Sequence, residues 1–133
     1  MFNSSLLIAR VMTVFPVVIA HNQRIKDARL KMADSHVQYL PVMDDKTLVG
    51  MLSAEDILTL EALPGIESDE LLVSATMTTP VITCTVDTSV NDAIQQMVDA
   101  KIGAIVVIDD DQLKGLFTSK DAMELVNKVI GQR

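Results

Sequence analysis

Aromatic side chains make up only 3% of this 133-residue chain, and tryptophan is absent. Strand-rich modules that stack bases or sugars on aromatic faces are therefore poor candidates. The single cysteine, Cys84, excludes an internal disulfide and any thiolate metal cluster. No uninterrupted apolar run reaches about 18 residues, so no membrane span is expected. The start, Met1 to Met12, has neither a basic leader region nor a small-residue cleavage site after it. A cytoplasmic protein is the expectation. Positive charge is also scarce: 11 basic against 18 acidic side chains give a formal charge of −7. That balance argues against nucleic acid and anionic lipid as partners.

What the chain does hold is apolar mass. Hydrophobic residues make up 49%, enough to build a core and to exclude disorder. Residues 1–60 carry six bases and six acids, so the whole net charge belongs to residues 61–133.

Sliding the sequence against itself gives a gapless match at an offset of 65 residues. Met12-Thr13 falls on Met77-Thr78, Asp27-Ala28 on Asp92-Ala93 and Met32 on Met97. Asp44-Asp45 falls on Asp109-Asp110, Gly50 on Gly115 and Asp56 on Asp121. Each copy reads as strand, helix, strand, strand, helix. The first strands are the branched runs Val17 to Ala20 and Val81 to Val86. Ile25, Ala28 and Met32, and in copy two Val90, Ala93, Ile94 and Met97 behind the N-cap Ser89, give helical stripes. Tyr39 to Met43 with Leu48 to Leu52, and Ala104 to Ile108 with Leu113 to Phe117, form hairpins around acidic turns. Final helices open at Ser53 and Thr118, and Glu61 to Glu70, with Pro64-Gly65 and four acids, is the connector.

Other features have plainer readings. Asp109-Asp110-Asp111 lacks the alternating ligands, central glycine and closing glutamate of a calcium loop, so it is expected to be an exposed turn. Cys84 reads as a small core residue, and His21 and His36 have no third ligand for a metal. Met32, Met43, Met97 and Met123 read as packing. Arg24, Lys26, Arg29 and Lys31 form the basic outer face of the first helix, read as solvated or, more sharply, as a dock for an acidic partner. No nucleophile–base set emerges, so no enzyme is expected.

Each copy closes on Gly-x-x-[Ser/Thr]-x-x-Asp: Gly50-Met51-Leu52-Ser53-Ala54-Glu55-Asp56 and Gly115-Leu116-Phe117-Thr118-Ser119-Lys120-Asp121. With Met-Thr before each first strand and Leu40-Pro41-Val42-Met43-Asp44 in the hairpin, the set resembles a tandem pair of CBS motifs, a Bateman module, from about Leu6 to Val126. The resemblance implies an α/β (α+β) fold. In it two motifs, residues 1–64 and 65–133, pack as a pseudo-twofold pair, forming one compact module with two clefts. It also implies a stand-alone regulatory module that binds an adenosine nucleotide of the AMP, ADP or ATP type and signals to an unknown effector protein. A homodimer through the terminal helices is implied as well, with Ile57, Leu58, Leu60, Met123, Leu125, Val126, Val129 and Ile130 offering apolar surface. No cofactor is required. The alternative is an interaction or dimerisation module without ligand.

The chemistry of the motif suits such a ligand. An anion at the strand–helix junction meets unpaired N–H groups and the helix dipole, and an ionised Asp can accept from two ribose hydroxyls. The same [Ser/Thr]-x-x-Asp spacing is that of a helix capping box, and both roles stay open. Carried over from the family by position, the first cleft combines Thr118, Lys120 and Asp121 with Thr13, Pro16, Val18, Val37 and Gln38. The second combines Ser53, Glu55 and Asp56 with Thr78, Pro80, Ile82, Ile102 and Gly103. Lys120 favours phosphate where Glu55, its equivalent, repels it, so the Asp121 cleft is expected to bind phosphate better. Gln38 and Gly103 stand where many ligand-binding members place Arg or His, which favours a monophosphate or a nucleoside over a polyphosphate.

Overall fold

Branched runs and amphipathic stretches alternate in the sequence, and a computed structural model describing residues 6–131 turns them into strands and helices in that order. In chain order the elements are β1 (Thr13–Val14), β2 (Ile19–Ala20), α1 (Ile25–Ser35), β3 (Tyr39–Asp44), β4 (Thr47–Ser53) and α2 (Ala54–Glu61). They continue with α3 (Val73–Thr76), β5 (Thr83–Thr85), α4 (Val90–Ala100), β6 (Ala104–Asp109), β7 (Gln112–Thr118) and α5 (Ser119–Gly131). Single 3-10 turns stand at Ile8–Arg10 and Ser68–Glu70. The first strand of each copy is shorter than its apolar run. The turn at Ile8–Arg10, β1 and α3 have no counterpart in the periodicity reading, being too short to carry a period.

Local chemistry sets the ends of these elements. α1 starts where the Asp27 carboxylate accepts the Arg24 N–H at 2.9 Å, and α4 where Ser89 Oγ accepts the Asp92 N–H at 3.1 Å. His36 and Lys101 end the two helices in the left-handed region, at φ 55° and 57°. In the β6–β7 hairpin, Asp110 and Asp111 both have positive φ, as a two-residue I′ turn requires. The Asp109–Asp111 run is thus a turn, as the sequence implied.

The chain divides into two compact units. One is Val17–Val81; the other joins the described residues up to Pro16 to those from Ile82 onward. In the first, the sheet runs β2-β3-β4, with β2 parallel to β3 and β3 antiparallel to β4. In the second, it runs β1-β7-β6-β5, with β5 parallel to β6 and the other pairs antiparallel. These units do not break at 64/65. The segment preceding each first strand packs on the other copy's hairpin: β1 pairs with β7, and Thr78 bridges Met51.

The cores follow the same division. Val73 is fully buried with Ile19, Ile25, Leu40 and Leu52, whereas Ile8 is fully buried with Val90, Ile105 and Phe117. Burying one such side chain stabilises by about 1.5–3 kcal/mol, which anchors each crossing segment. Met32 and Met97 are core residues as expected. Met123 is not: it is 72% exposed, because it lies on the outer face of α5. Cys84 is buried, and that burial pushes its thiol pKa up, partly offset by a hydrogen bond with Thr88.

Candidate nucleotide-binding motifs

Each Gly-x-x-[Ser/Thr]-x-x-Asp motif covers the end of a strand and the first turn of a helix. Ser53 ends β4 and caps α2. Its hydroxyl accepts the Asp56 N–H at 3.0 Å, while Asp56 Oδ2 accepts the Ser53 N–H at 3.0 Å. Thr118 and Asp121 repeat this at 3.2 and 2.9 Å. The capping role is therefore realised at both motifs, and all four side chains remain half-buried. Among the described residues, the second oxygen of each carboxylate, Oδ1, takes no hydrogen bond from the protein. One oxygen thus holds the helix start, and the other has no protein donor among the described residues.

Backbone bonds bring neighbouring candidates to these helix starts, grouped differently from the expected clefts: Val18, Val37 and Gln38 lie in the unit of Asp56, and Ile82, Ile102 and Gly103 in that of Asp121. Within the first unit, Ala54 N–H donates to Gln38 O at 2.8 Å, which sets Val37-Gln38 beside Ser53. Thr78 exchanges two backbone bonds with Met51, at 2.8 and 3.0 Å, and Pro80 follows two residues later. Val18 precedes β2 in the same unit. Within the second unit, Ser119 N–H donates to Gly103 O at 2.8 Å, setting Ile102-Gly103 beside Thr118. Thr13 pairs with Leu116 on β7, two residues before Thr118, and Pro16 closes that segment; Ile82 leads into β5.

Beside Asp121, the Lys120 ammonium lies 4.0 Å from Glu124 on an open helix face, and beside Asp56 stands the exposed Glu55. At such exposure the Lys120–Glu124 pair is worth little, so the ammonium stays available to an anion. Among the described residues no His, Cys, Asp and Glu group could hold a metal ion, and no helix is long and apolar enough to cross a membrane.

Two features escaped the sequence reading. Gly50 and Gly115 lie under Met77 and Met12, where a Cβ would overlap the thioether. The repeat pairs these residues by copy, but only the crossing of the chain puts each methionine on the other copy's glycine. The basic face of α1 is also not simply solvated. Arg29 pairs with Glu61 and Asp69, Lys26 with Glu70, and Arg24 donates to Glu70 O.

The CBS domain model matches residues 8–62 and again 72–128. The chain belongs to the CBS domain family. Its two matches make it a tandem CBS module with the mixed α/β fold of such pairs. A CBS domain-containing protein of Bacillus subtilis, YhcV, is 28% identical over 110 residues, covering 83% of this chain and 78% of that one. A conserved protein of Pyrococcus horikoshii superposes with a TM-score of 0.86 at 25% identity, covering 94% of this chain and 95% of the other. The CBS domain pair of the protein MJ0100, solved with 5′-methylthioadenosine and S-adenosyl-L-methionine, gives a TM-score of 0.81 at 26% identity. That match covers 96% of this chain and 98% of the other. The chain spans 34%, 31% and 50% of the length of three archaeal relatives that it matches.

Proposed function

We propose that this CBS pair binds an adenosine compound at its two Ser/Thr-x-x-Asp motifs and passes the bound state to an effector protein. The observation that carries the reading is the half-used carboxylate. Asp56 and Asp121 are each pinned at a helix start by one oxygen, with the other open toward a donor such as a ribose hydroxyl. The adenosine ligands of MJ0100, a CBS pair of the same extent, support the class. In this reading the remaining first-turn N–H groups and the helix dipole take the phosphate or its substitute. Lys120 adds a cation at the Asp121 motif, where Glu55 opposes an anion at the Asp56 motif. Thr13, Pro16, Val18, Val37, Gln38, Thr78, Pro80, Ile82 and Ile102 surround the base and sugar, and no catalytic step is assigned. The free, buried Cys84 suits a reducing cytoplasm.

A thermal-shift series with AMP, ADP, ATP, NAD and S-adenosylmethionine tests the proposal. A binding ligand at about a hundredfold over its Kd adds about 2.7 kcal/mol of stability. The expected outcome is stabilisation by AMP or another adenosine compound without a polyphosphate, abolished in Asp121→Ala and reduced less in Asp56→Ala. Flat melting curves for all five at millimolar concentration overturn the ligand reading. Loss of binding in Asp56→Ala alone overturns the order of the two motifs.

A second reading, an interaction module, is favoured by a groove of about 260 Å³ between α1 and α2. Its walls include Met32, Ala33, Val37, Gln38, Ile57 and Leu58, with Arg29 and Glu61 as its charged residues; neither Ser53 nor Asp56 lines it. It suits an apolar helix rather than a nucleotide, and Leu58 on its wall also belongs to the α2 surface proposed for a homodimer. The two readings compete at Val37 and Gln38, which line this groove and also belong to the proposed ligand site.

A further inference from the structure

The two units dock their crossing segments through the same backbone bonds, yet among the described residues only one adds ion pairs beside them. In the first unit Ile25 N–H donates to Leu71 O at 2.9 Å, and Val73 N–H to Gln23 O at 2.8 Å. In the second unit the equivalent bonds run from Val90 N–H to Leu6 O and from Ile8 N–H to Thr88 O, both at 2.8 Å. Arg29 then spans the ends of the connector loop, holding Glu61 at the end of α2 and Asp69 in the 3-10 turn. Lys26 reaches Glu70 at 3.6 Å, and Arg24 donates to Glu70 O. The equivalents of Arg24, Lys26 and Arg29 in the second copy are Ser89, Asn91 and Ile94, which cannot repeat the clasp.

We propose that the Arg29–Glu61–Asp69 clasp is an ionic latch on the connector. It sets how often the segment from Leu71 to Pro80 lifts from the sheet β2-β3-β4, and so makes that opening dependent on ionic strength. The guanidinium is the right group, because its fork can hold two carboxylates at once where an ammonium offers one point charge. Both acids raise the Arg29 pKa, Glu61 most through its hydrogen bond. The pairs are half-exposed, so salt reaches them. Screening shortens from about 10 Å at about 0.1 M salt to about 3 Å at about 1 M. Ile25, Leu40 and Leu52 remain buried beneath the segment, so releasing the latch loosens it without melting the unit. Thr78 and Pro80 of the proposed ligand site lie at the far end of this segment. That consequence rests on the nucleotide reading; the latch does not.

Hydrogen exchange followed by NMR tests it on the full chain without any ligand. The reporter amides are Val73, Ser74 and Thr78, bonded to Gln23 O, His21 O and Met51 O. Ile8 and Val90 serve as internal controls in the unit without a clasp. Raising KCl from about 0.1 to about 1 M should speed exchange at the reporters about threefold and leave the controls unchanged, as expected for a small exposed ion-pair network. Arg29→Gln should give about the same increase at low salt and remove the salt response. Arg29→Lys should fall between, and Lys31→Gln, which removes one charge from the same helix, should have no effect. Equal salt responses at reporters and controls, or reporter rates unchanged in Arg29→Gln, overturn the proposal. The wild-type titration decides the matter even if a variant fails to fold.

Discussion

Gly50 and Gly115 show how a single side chain records the path of the whole chain. Each sits in the second hairpin strand of its copy, facing the methionine that opens the other copy. Neither needs a positive φ; what each provides is the absence of a Cβ. Added volume in so tight a contact costs about 1–3 kcal/mol. The two positions differ in what must yield. At Gly50 the three atoms nearest the new methyl all belong to the Met77 side chain, which has three rotatable bonds. At Gly115 it also meets the backbone carbonyl of Thr13, at 2.9 Å. Gly115→Ala should therefore destabilise its unit by about 2–3 kcal/mol and Gly50→Ala by about 1 kcal/mol in urea unfolding. Met77→Ala combined with Gly50→Ala should recover most of the overpacking cost, and a strictly additive double mutant would show that the two residues do not press on each other.

Among the elements, three helix starts share one device with different prospects. Ser53, Thr118 and Ser89 each accept the N–H three residues on, at 3.0, 3.2 and 3.1 Å. Replacing any of them by alanine should cost about 1 kcal/mol, read from the urea midpoint. Only the first two belong to the ligand motif. Thr118→Ala should also weaken adenosine binding in calorimetry, whereas Ser89→Ala should leave it unchanged; equal affinities in all three variants would reduce the motifs to caps. These starts were legible in the sequence because a cap, a turn or an amphipathic stripe is written within four residues. So were the hairpins, whose aspartates tolerate the left-handed backbone. The crossing of Met12-Thr13 and Met77-Thr78 was not, since their pairing partners, Leu116 for Thr13 and Met51 for Thr78, lie too far along the chain to leave a local pattern. Arg29 was misread for the same reason: its partners lie 32 and 40 residues away. The site residues were named through the family resemblance, and periodicity alone would have yielded only the caps.

At the scale of the molecule, charge and apolar surface point to separate uses. The acidic surplus is concentrated in the connector and the Asp109–Asp111 turn, and three connector acids are met by bases of α1. The net charge of −7 thus disfavours a polyanionic partner such as nucleic acid and bears little on a small ligand, which meets only local charges. The outer faces of the final helices are apolar: Leu58 is 64% exposed on α2, and Met123 72% and Ile130 59% on α5. Ile57, by contrast, is core, and Leu60 and Leu125 pack against the cores, so the dimer surface expected from the sequence loses these three and keeps Leu58, Met123, Val126 and Ile130 as its exposed residues. A stable dimer buries about 1,200–2,000 Å², and each large side chain taken fully from water contributes about 1.5–3 kcal/mol. Light scattering should therefore give about twice the 14.5 kDa of the chain. Leu58→Glu with Met123→Glu should halve that mass while circular dichroism keeps its helical signal, because both side chains lie outside the cores. A wild-type monomer at high concentration would refute the dimer, and a double variant that stays dimeric would move the interface away from α2 and α5.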